Sequence, residues 1–419
     1  MLKKYTFIFF ISLTLPILTH GQGITRTPYS QFGFGDVELL ANARMMGMGG
    51  TGVSMIQPWS LNLKNPAVAA YTRRNVIFEG GFYGQSITVK TTAASGNLVS
   101  GNIQYLALNV PIQKKFWGMV TGISPYSNAN SRYRSTKPLD EGYVVRSTST
   151  VEGGLNQIFM LHGIKLPKGF ALGLGLSYVF GTIQRSTEFE ITDLSYPTTK
   201  LEQKDIYRFL EFKPGFSYLT TLNGITNLSI GATATFNKDV TSNSQFTSSV
   251  NSNRFSQRPI LYQNQITNVQ DVNLPQQYAI GVSMDRNNKW NAGVDYTLMD
   301  YSKIKSYTRE DPSYSLTTGH RFSLGGEYIP NINDTRYYFN RIVYRSGLYY
   351  NYSPLIINNT RITDMGLSFG LGLPLPRIQG GGGTFNLAFV VGRRGTTDNN
   401  LVQENYFRFF VGINIIDTW

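Results

Sequence analysis

Few side chains in this sequence combine the types and the spacing that catalysis or metal binding needs. The chain has three histidines, and His162 and His320 lie on predicted strands far apart in sequence, where a lone histidine is typical of a lumen or an interface. The carboxylates are sparse and show no metal-ligand spacing. Cysteine is absent, which excludes a thiol nucleophile, a zinc-thiolate cluster and a disulfide framework. We therefore predict no metal and no other cofactor.

Nucleophilic and phosphate-binding motifs are equally weak. A serine nucleophile would need Gly-x-Ser-x-Gly at a strand–turn–helix junction, and none stands in that context. The glycine run at 380–383 opens no helix, so we interpret it as a turn on the periplasmic side rather than a phosphate cradle. The sequence thus predicts a protein that is not an enzyme.

A small set of charged residues occupies strand positions that point away from the apolar face. These residues could clamp an internal segment or a ligand carboxylate, but polar side chains at inward positions are also ordinary in barrels. Both interpretations stay open for the five residues concerned: Asp285, Asp295, Arg321, Glu327 and Arg408.

The elements that would position these charges are amphipathic strands. In GFALGLGLSYVFG the leucines at 172, 174 and 176 alternate with glycine or serine, and the terminal ENYFRFFVGINIIDTW repeats the pattern. Such segments recur after about residue 75 with a length of roughly ten residues, which suits a tilted strand crossing a bilayer. Short connections alternate with long Ser-, Asn- and Thr-rich ones near 127–142, 185–203 and 238–272.

The pattern predicts an all-β fold: a transmembrane antiparallel up-and-down β-barrel of about 14 strands with an N-terminal hatch in the lumen. A pair of soluble β-sandwiches is the alternative, but it would need more charge than the 15% present. The predicted strands fall near 75–90, 98–112, 115–127, 145–165, 169–185, 203–221, 224–238, 273–286, 289–304, 315–329, 335–351, 361–373, 383–394 and 402–416.

The N-terminus and the charge balance indicate the compartment. Residues 1–21 read as a secretory signal peptide, with two lysines before an apolar run. The net charge is +13, but the basic residues are scattered and the chain is exported, which argues against nucleic acid as a partner. We expect a multi-pass β-barrel in the outer membrane of a Gram-negative cell, with membrane lipid around it.

Residues 22–74 break the strand rhythm, and we predict that they form a hatch inside the barrel at 75–419. Asn65 and Pro66 read as the capped start of a short helix, and residues 39–46 as a possible second one. A set of flexible apolar side chains could line a ligand pocket or simply pack the hatch against the wall: Met45, Met46, Met48, Met55 and Trp59.

The run GMGGTGVSMIQPWSLNLKNPAVAAY resembles the N-terminal hatch of the OMPP1/FadL/TodX family of outer-membrane transporters. The positions that match its glycine-rich patch and Asn-Pro-Ala triplet are Gly49, Gly50, Gly52, Asn65, Pro66 and Ala67. The stretches PYSQFGFGDV, LPQQYAIGVSM and the C-terminal segment from ITDMGLSFGLGLPLP resemble the Bacteroidota branch of that family.

The resemblance implies a fourteen-stranded barrel with a hatch, through which hydrophobic molecules such as fatty acids or hydrocarbons diffuse passively and leave sideways through the wall. The loop at 238–272 is polar, unlike the apolar entry loop of the best-known members. The same branch supplies accessory barrels of larger secretion or barrel-assembly complexes, which need not transport anything. Transport predicts an apolar cavity and a strand kink opening to lipid; an accessory role predicts a closed lumen and large partners. The last strand resembles the signal by which barrel-assembly machinery selects its substrates.

Overall fold

The computed structural model of the chain describes residues 27–72, 75–139, 142–191, 196–237, 240–251, 260–272, 274–302, 314–378 and 381–418. The predicted signal peptide and Trp419 lie outside this range. None of the described helices is long and apolar enough to cross a membrane.

The described chain is almost entirely β-structure. Its one α-helix, α1, spans Ala43–Met46, and its 3-10 helices span Pro28–Gln31, Pro66–Tyr71, Pro167–Gly169, Tyr338–Arg341 and Asp398–Asn400. The nineteen strands are β1 (Asp36–Val37), β2 (Asn75–Lys90), β3 (Ser95–Gln113), β4 (Trp117–Asn128), β5 (Ser131–Pro138), β6 (Val144–Lys165), β7 (Phe170–Ile191), β8 (Thr198–Leu222), β9 (Thr226–Asn237), β10 (Val240–Asn251), β11 (Ile260–Val272), β12 (Gln276–Arg286), β13 (Trp290–Asp300), β14 (Tyr314–Leu316), β15 (Thr318–Tyr328), β16 (Val343–Ile357), β17 (Thr360–Ile378), β18 (Gly381–Gly395) and β19 (Gln403–Thr418).

Fourteen of these strands form a closed antiparallel wall, which confirms the predicted fold class. The wall closes because β19 pairs with β2 along its whole length, from Asn75 opposite Thr418 to Lys90 opposite Gln403. Closure removes the two outermost strand edges that an open sheet would leave at membrane depth. In chain order the wall consists of β2, β3, β4, β6, β7, β8, β9, β12, β13, β15, β16, β17, β18 and β19.

The two faces of the wall differ as the alternation predicts. On β7 the outward residues Leu172, Leu174 and Tyr178 are exposed, whereas Ala171 and Val179 on the inward face are buried. Lipid tails are the solvent that an apolar outward face of this kind requires.

Within three stretches predicted as long loops, most of the described residues form strands instead. β6, β7 and β8 have 22, 22 and 25 residues, more than a bilayer needs, and they continue beyond it. β5, β10 and β11 pair alongside them. These Ser- and Thr-rich sequences resemble loops. They form strands in this protein because the long neighbouring strands supply backbone hydrogen-bond partners.

The strand predicted at 335–351 begins later, at Val343. The Asp334 carboxylate accepts the backbone N–H groups of Arg336 and Tyr337, which turns the chain into the 3-10 helix that follows. The aromatic run there imitates a strand, but the local cap decides the conformation.

Residues 27–72, which we call the lumenal segment, lie inside the wall. Their partners stand on strands all around it: Ser368 on β17, Asp295 on β13, Phe216 on β8, Asn109 on β3 and Asn414 on β19. The possible helix at 39–46 is shorter than predicted because Asn42 caps it, accepting the Met45 N–H. The predicted boundaries at 22–74 and 75–419 stay a prediction.

Candidate functional site

Wall glycines let the lumenal segment approach the strands backbone to backbone. A Cβ added at any of seven inward glycines would lie 2.0–2.6 Å from an atom of the lumenal segment, far inside van der Waals contact. Seven different strands supply one such glycine each, so the close contacts extend around much of the barrel. The seven are Gly118, Gly163, Gly173, Gly215, Gly231, Gly325 and Gly347.

Gly325→Ala is expected to destabilise the barrel by about 1–3 kcal/mol, because its Cβ would stand 2.2 Å from the Met48 carbonyl oxygen and backbone cannot yield cheaply. Gly326→Ala is the matched control, since that glycine is on the lipid face with its nearest contact at 3.1 Å. Unfolding in urea, followed by heat-modifiable mobility on gels, measures the difference. Equal loss in both variants would show that the close approach to Met48 has no energetic weight.

A buried carboxylate joins the lumenal segment to two wall strands. Glu327 on β15 accepts hydrogen bonds from Arg44 at 2.7 and 3.1 Å, from Arg345 on β16 at 3.0 Å and from Gln57 at 3.2 Å. Arg44 and Arg345 are 4% and 7% exposed, so both guanidinium groups depend on this one carboxylate. Buried charges persist when they are paired and hydrogen-bonded in this way.

A second inward carboxylate holds the glycine-rich turn. Asp295 on β13 accepts the backbone N–H groups of Gly52 and Val53 at 2.8 and 3.0 Å, and the Lys64 ammonium lies 3.2 Å away. Lys64 also donates to the Gly50 carbonyl at 2.6 Å. The turn is therefore fixed by a charge and by its own backbone dipoles.

The hatch-motif residues shape this turn and the next one. Gly49 and Gly50 have φ angles of 68° and 80°, a region that side chains rarely adopt, and the Gly49 N–H donates to Ser368. Gly52 supplies one of the N–H groups bound by Asp295. Asn65 accepts the Ala67 N–H at 3.0 Å, which caps the 3-10 helix that Pro66 begins, and donates to the Val53 carbonyl.

The predicted pocket residues are mostly packed rather than open. Met45, Met48 and Met55 are 0–1% exposed. Met46 borders the cavity described below, and Trp59 is half-buried, with its carbonyl accepting from Asn414. Met45, Met48 and Met55 thus fill the space between the lumenal segment and the wall, which is one of the two roles that the sequence left open.

Of the other three lumen charges, Arg321 and Arg408 border one cavity and Asp285 lies away from it. Arg321 donates to the Gly49 carbonyl at 3.1 Å and lies 4.1 Å above the Tyr349 ring. Arg408 donates to Gln85. Asp285 accepts from Asn227 on the neighbouring strand β9.

A cavity of about 250 Å³ lies between the start of the lumenal segment and the wall. Aromatic rings such as Tyr83, Tyr349 and Phe410 line it, together with charged groups of both signs. The charged groups are Asp36, Glu38, Asp364, Arg321, Arg394 and Arg408. The cavity is amphipathic rather than uniformly apolar.

Two carboxylates of the lumenal segment border this cavity, and their pKa values are shifted in opposite directions. Burial would raise the pKa of Asp36, but Arg394, 2.8 Å away, and the Thr27 hydroxyl hold that pKa below its usual value. Burial raises the pKa of Glu38, which receives a hydrogen bond from the Tyr83 hydroxyl.

The wall is interrupted next to this cavity. The ladder between β3 and β4 ends at Leu106 opposite Ile123, although β3 continues upward from there to Ser95 beside β2. Pro125, which has no N–H to donate, and a register shift follow on β4. Ile103, on the part of β3 that pairs with β2 but not with β4, is exposed on the outer face.

The lumenal segment covers this interruption from inside. β1 pairs with the edge of β4 that β3 leaves, with Val37 opposite Ser127 and Asp36 opposite Asn128. Glu38 donates its N–H to the Tyr126 carbonyl. A two-residue strand is a weak ladder that can separate without unfolding the wall.

Sequence reasoning missed Arg44, Lys64, Arg345 and strand β1. No alternation marks a two-residue strand, and the carboxylate partners of Arg44 and Lys64 are distant in sequence. The wall glycines carried a usable signal, since many strands have one glycine on their inward face. No group of three or more His, Cys, Asp or Glu residues in the described ranges could hold a metal ion.

The sequence model of the BamG family matches residues 1–419. The chain belongs to the BamG family. No curated protein sequence matches this BamG-family chain.

Several solved barrels share its fold. A FadL homologue of Pseudomonas aeruginosa is 11% identical with a TM-score of 0.61, covering 91% of this chain and 99% of that one. The toluene transporter TodX of P. putida is 14% identical with a TM-score of 0.59, at 91% and 99% coverage. The toluene transporter TbuX of Ralstonia pickettii is 13% identical with a TM-score of 0.56, at 90% and 98% coverage.

At these identities the likeness shows the fold alone. It confirms the FadL-type barrel fold, and the assignment to the Bacteroidota branch stays a prediction.

Proposed function

We propose that this chain is a passive outer-membrane channel for small hydrophobic molecules, which leave sideways between β3 and β4. The observation that carries the proposal is the interrupted ladder above Leu106 and Ile123, covered from inside by β1 and bordered by the cavity. A molecule held in the cavity needs only the displacement of β1 to reach lipid. Transfer of an apolar molecule into lipid is favourable, so no energy source is required.

The cavity lining suggests the kind of substrate. Aromatic rings favour an apolar body, and the guanidinium groups of Arg321 and Arg408 favour a polar or anionic end. A fatty acid has both features, whereas a plain hydrocarbon has the first alone. The reaction is transport, with no bond made or broken, so the proposed function is not enzymatic.

The hatch role of the lumenal segment is part of this proposal. The ion pairs at Glu327 and Asp295 support a fixed centre, while the short ladder of β1 supports a movable start. The channel would thus open locally near residues 33–40 rather than by expelling the whole segment.

A second candidate function is that of an accessory barrel in an outer-membrane secretion or barrel-assembly complex. The BamG family match favours it, and so does the tight glycine-lined seal of the lumen. In this case the cavity and the interrupted ladder would be features of the fold, and no substrate would pass through them.

Mass spectrometry of the protein purified in mild detergent separates the two functions. Transport predicts about one bound fatty acid or similar amphipathic molecule per chain, with no stoichiometric partner. A chain that carries no such molecule and purifies with larger outer-membrane proteins contradicts transport and supports the accessory role. An unrelated barrel purified in the same way is the control. If this chain carries only phospholipid, and no more of it than the control, the result also counts against transport.

A further inference from the structure

A six-stranded sheet continues the wall above the membrane and ends in two open edges. Its order is β5–β6–β7–β8–β10–β11, with every neighbour antiparallel. Among the described strands, β5 pairs with β6 alone and β11 pairs with β10 alone. Each edge therefore presents a row of backbone groups to its surroundings.

The two edges are built differently. β5 carries Arg132, Arg134 and Lys137 and ends at Pro138, the charges and proline with which proteins protect an edge from another strand. β11 has 13 residues, and its stretch ILYQNQITNVQ, residues 260–270, contains no charge, proline or glycine. Its neighbour β10 is also uncharged. One chain thus protects one edge of the sheet and leaves the other bare.

The bare edge is also the apolar one. Tyr262 and Ile266 are 60% and 52% exposed, and residues 262–267 are all exposed. They stand opposite Val250 and Phe246 on β10, so the four side chains form one stripe across the hairpin. Exposed apolar β-strands of this composition associate with other strands unless a partner covers them.

We propose that β11 is a docking edge for an extended segment of a partner protein at the outer surface, which adds to the sheet as an antiparallel strand. A row of unpaired N–H and C=O groups is complementary to another extended backbone. The occupant of this edge is therefore a polypeptide. The uncharged edge favours an uncharged segment, with apolar residues placed beside Tyr262 and Ile266.

A second copy of this chain does not fit the edge. Copies in one membrane share their orientation, so β11 against β11 would pair in parallel, the less stable arrangement. β5 of a second copy would run antiparallel to β11, since β5 continues β4 away from the membrane and β11 leads back into β12. That contact would bring Arg132, Arg134 and Lys137 against a strand with no opposite charge between residues 260 and 270.

The inference goes beyond the proposed transport and is independent of it, and it would also supply the contact that an accessory subunit needs. Because β11 lies above the membrane, a change there leaves the cavity and β1 intact.

Hydrogen exchange of the backbone amides tests the docking edge. In native outer-membrane vesicles, every second amide among residues 260–267, those that point away from β10, is expected to exchange slowly. This protection is expected to disappear from the chain purified alone in detergent. Asn264→Lys places a charge at the middle of the edge and is expected to abolish the protection in vesicles. Ser135→Lys, on the already basic β5, is the matched control and is expected to leave it unchanged.

A photo-crosslinking amino acid in place of Tyr262 identifies the occupant in whole cells. A discrete adduct with one extended, uncharged peptide, lost in the Asn264→Lys background, supports the proposal. Adducts with a second copy of this chain or with lipopolysaccharide overturn it, as does equal exchange in vesicles and detergent. Uptake of hydrophobic probes, measured in the same Asn264→Lys cells, reports separately on transport.

Discussion

Linking β1 to β4 by a disulfide is expected to lower uptake of a labelled fatty acid to that of cells lacking the protein. Val37→Cys with Ser127→Cys provides the link, because the two residues are Cα partners in the ladder and such pairs lie within disulfide range. The chain has no cysteine of its own, so no other disulfide competes. If substrate leaves past β1, a covalent bond there closes the only proposed exit. Reduction with dithiothreitol is expected to restore uptake.

Two controls make the result interpretable. A disulfide between Thr247→Cys and Gln265→Cys joins β10 to β11 above the membrane and is expected to leave uptake unchanged. Each single cysteine variant shows whether the substitutions themselves reduce activity. Full uptake in cells whose Val37–Ser127 disulfide is proved by mass spectrometry would refute lateral exit past β1.

Replacing Glu327 by Gln is expected to destabilise the folded barrel by about 3–5 kcal/mol, because it leaves two buried guanidinium groups without a counter-charge. The loss is expected to release the middle of the lumenal segment before the wall itself unfolds. A cysteine introduced at Met48, buried in the folded protein, reports that release by reacting with a maleimide. Urea unfolding in lipid vesicles measures the free energy.

Glu152→Gln removes an exposed carboxylate on β6 and is the matched control, with an expected change within about 0.5 kcal/mol. Arg44→Gln should cost less in the Glu327→Gln background than in the native chain, because the pair is already broken. Additive losses, or a Met48 cysteine that stays unreactive in Glu327→Gln, would mean that this ion pair does not hold the lumenal segment.

The wall was predictable to within a few residues because a membrane imposes a strict rule on every strand. β2 spans the predicted 75–90, β6 begins one residue earlier than predicted, and β18 begins two residues earlier and ends one residue later. Apart from the late start of β16, which lies at the opposite end of the barrel, the largest errors occur above the membrane, where both faces of a strand meet water. In β10 and β11 no alternation distinguishes a strand from a loop, so the sequence carries little signal there.

The candidate site was predictable as a set of residues but not as a set of contacts. The inward position of Asp295 and Glu327 follows from their register beside Val294 and Leu324. Their partners Lys64 and Arg44 belong to the lumenal segment, whose placement depends on the closed barrel, whereas Arg345 lies directly opposite Glu327 in the β15–β16 ladder. Strand β1 has two residues and no pattern, and it exists because β4 offers it a free edge.

The sequence by itself predicted an exported chain, and it determined about fourteen amphipathic strands of bilayer-spanning length and an irregular N-terminal portion, since each of these depends on local composition and period. The tertiary structure alone decided how that portion is held, where the wall is interrupted and which edge above the membrane is bare. Those features depend on which groups meet across hundreds of residues, and a carboxylate, a glycine or an unpaired backbone edge acquires its role from the partner that the closed sheet brings to it.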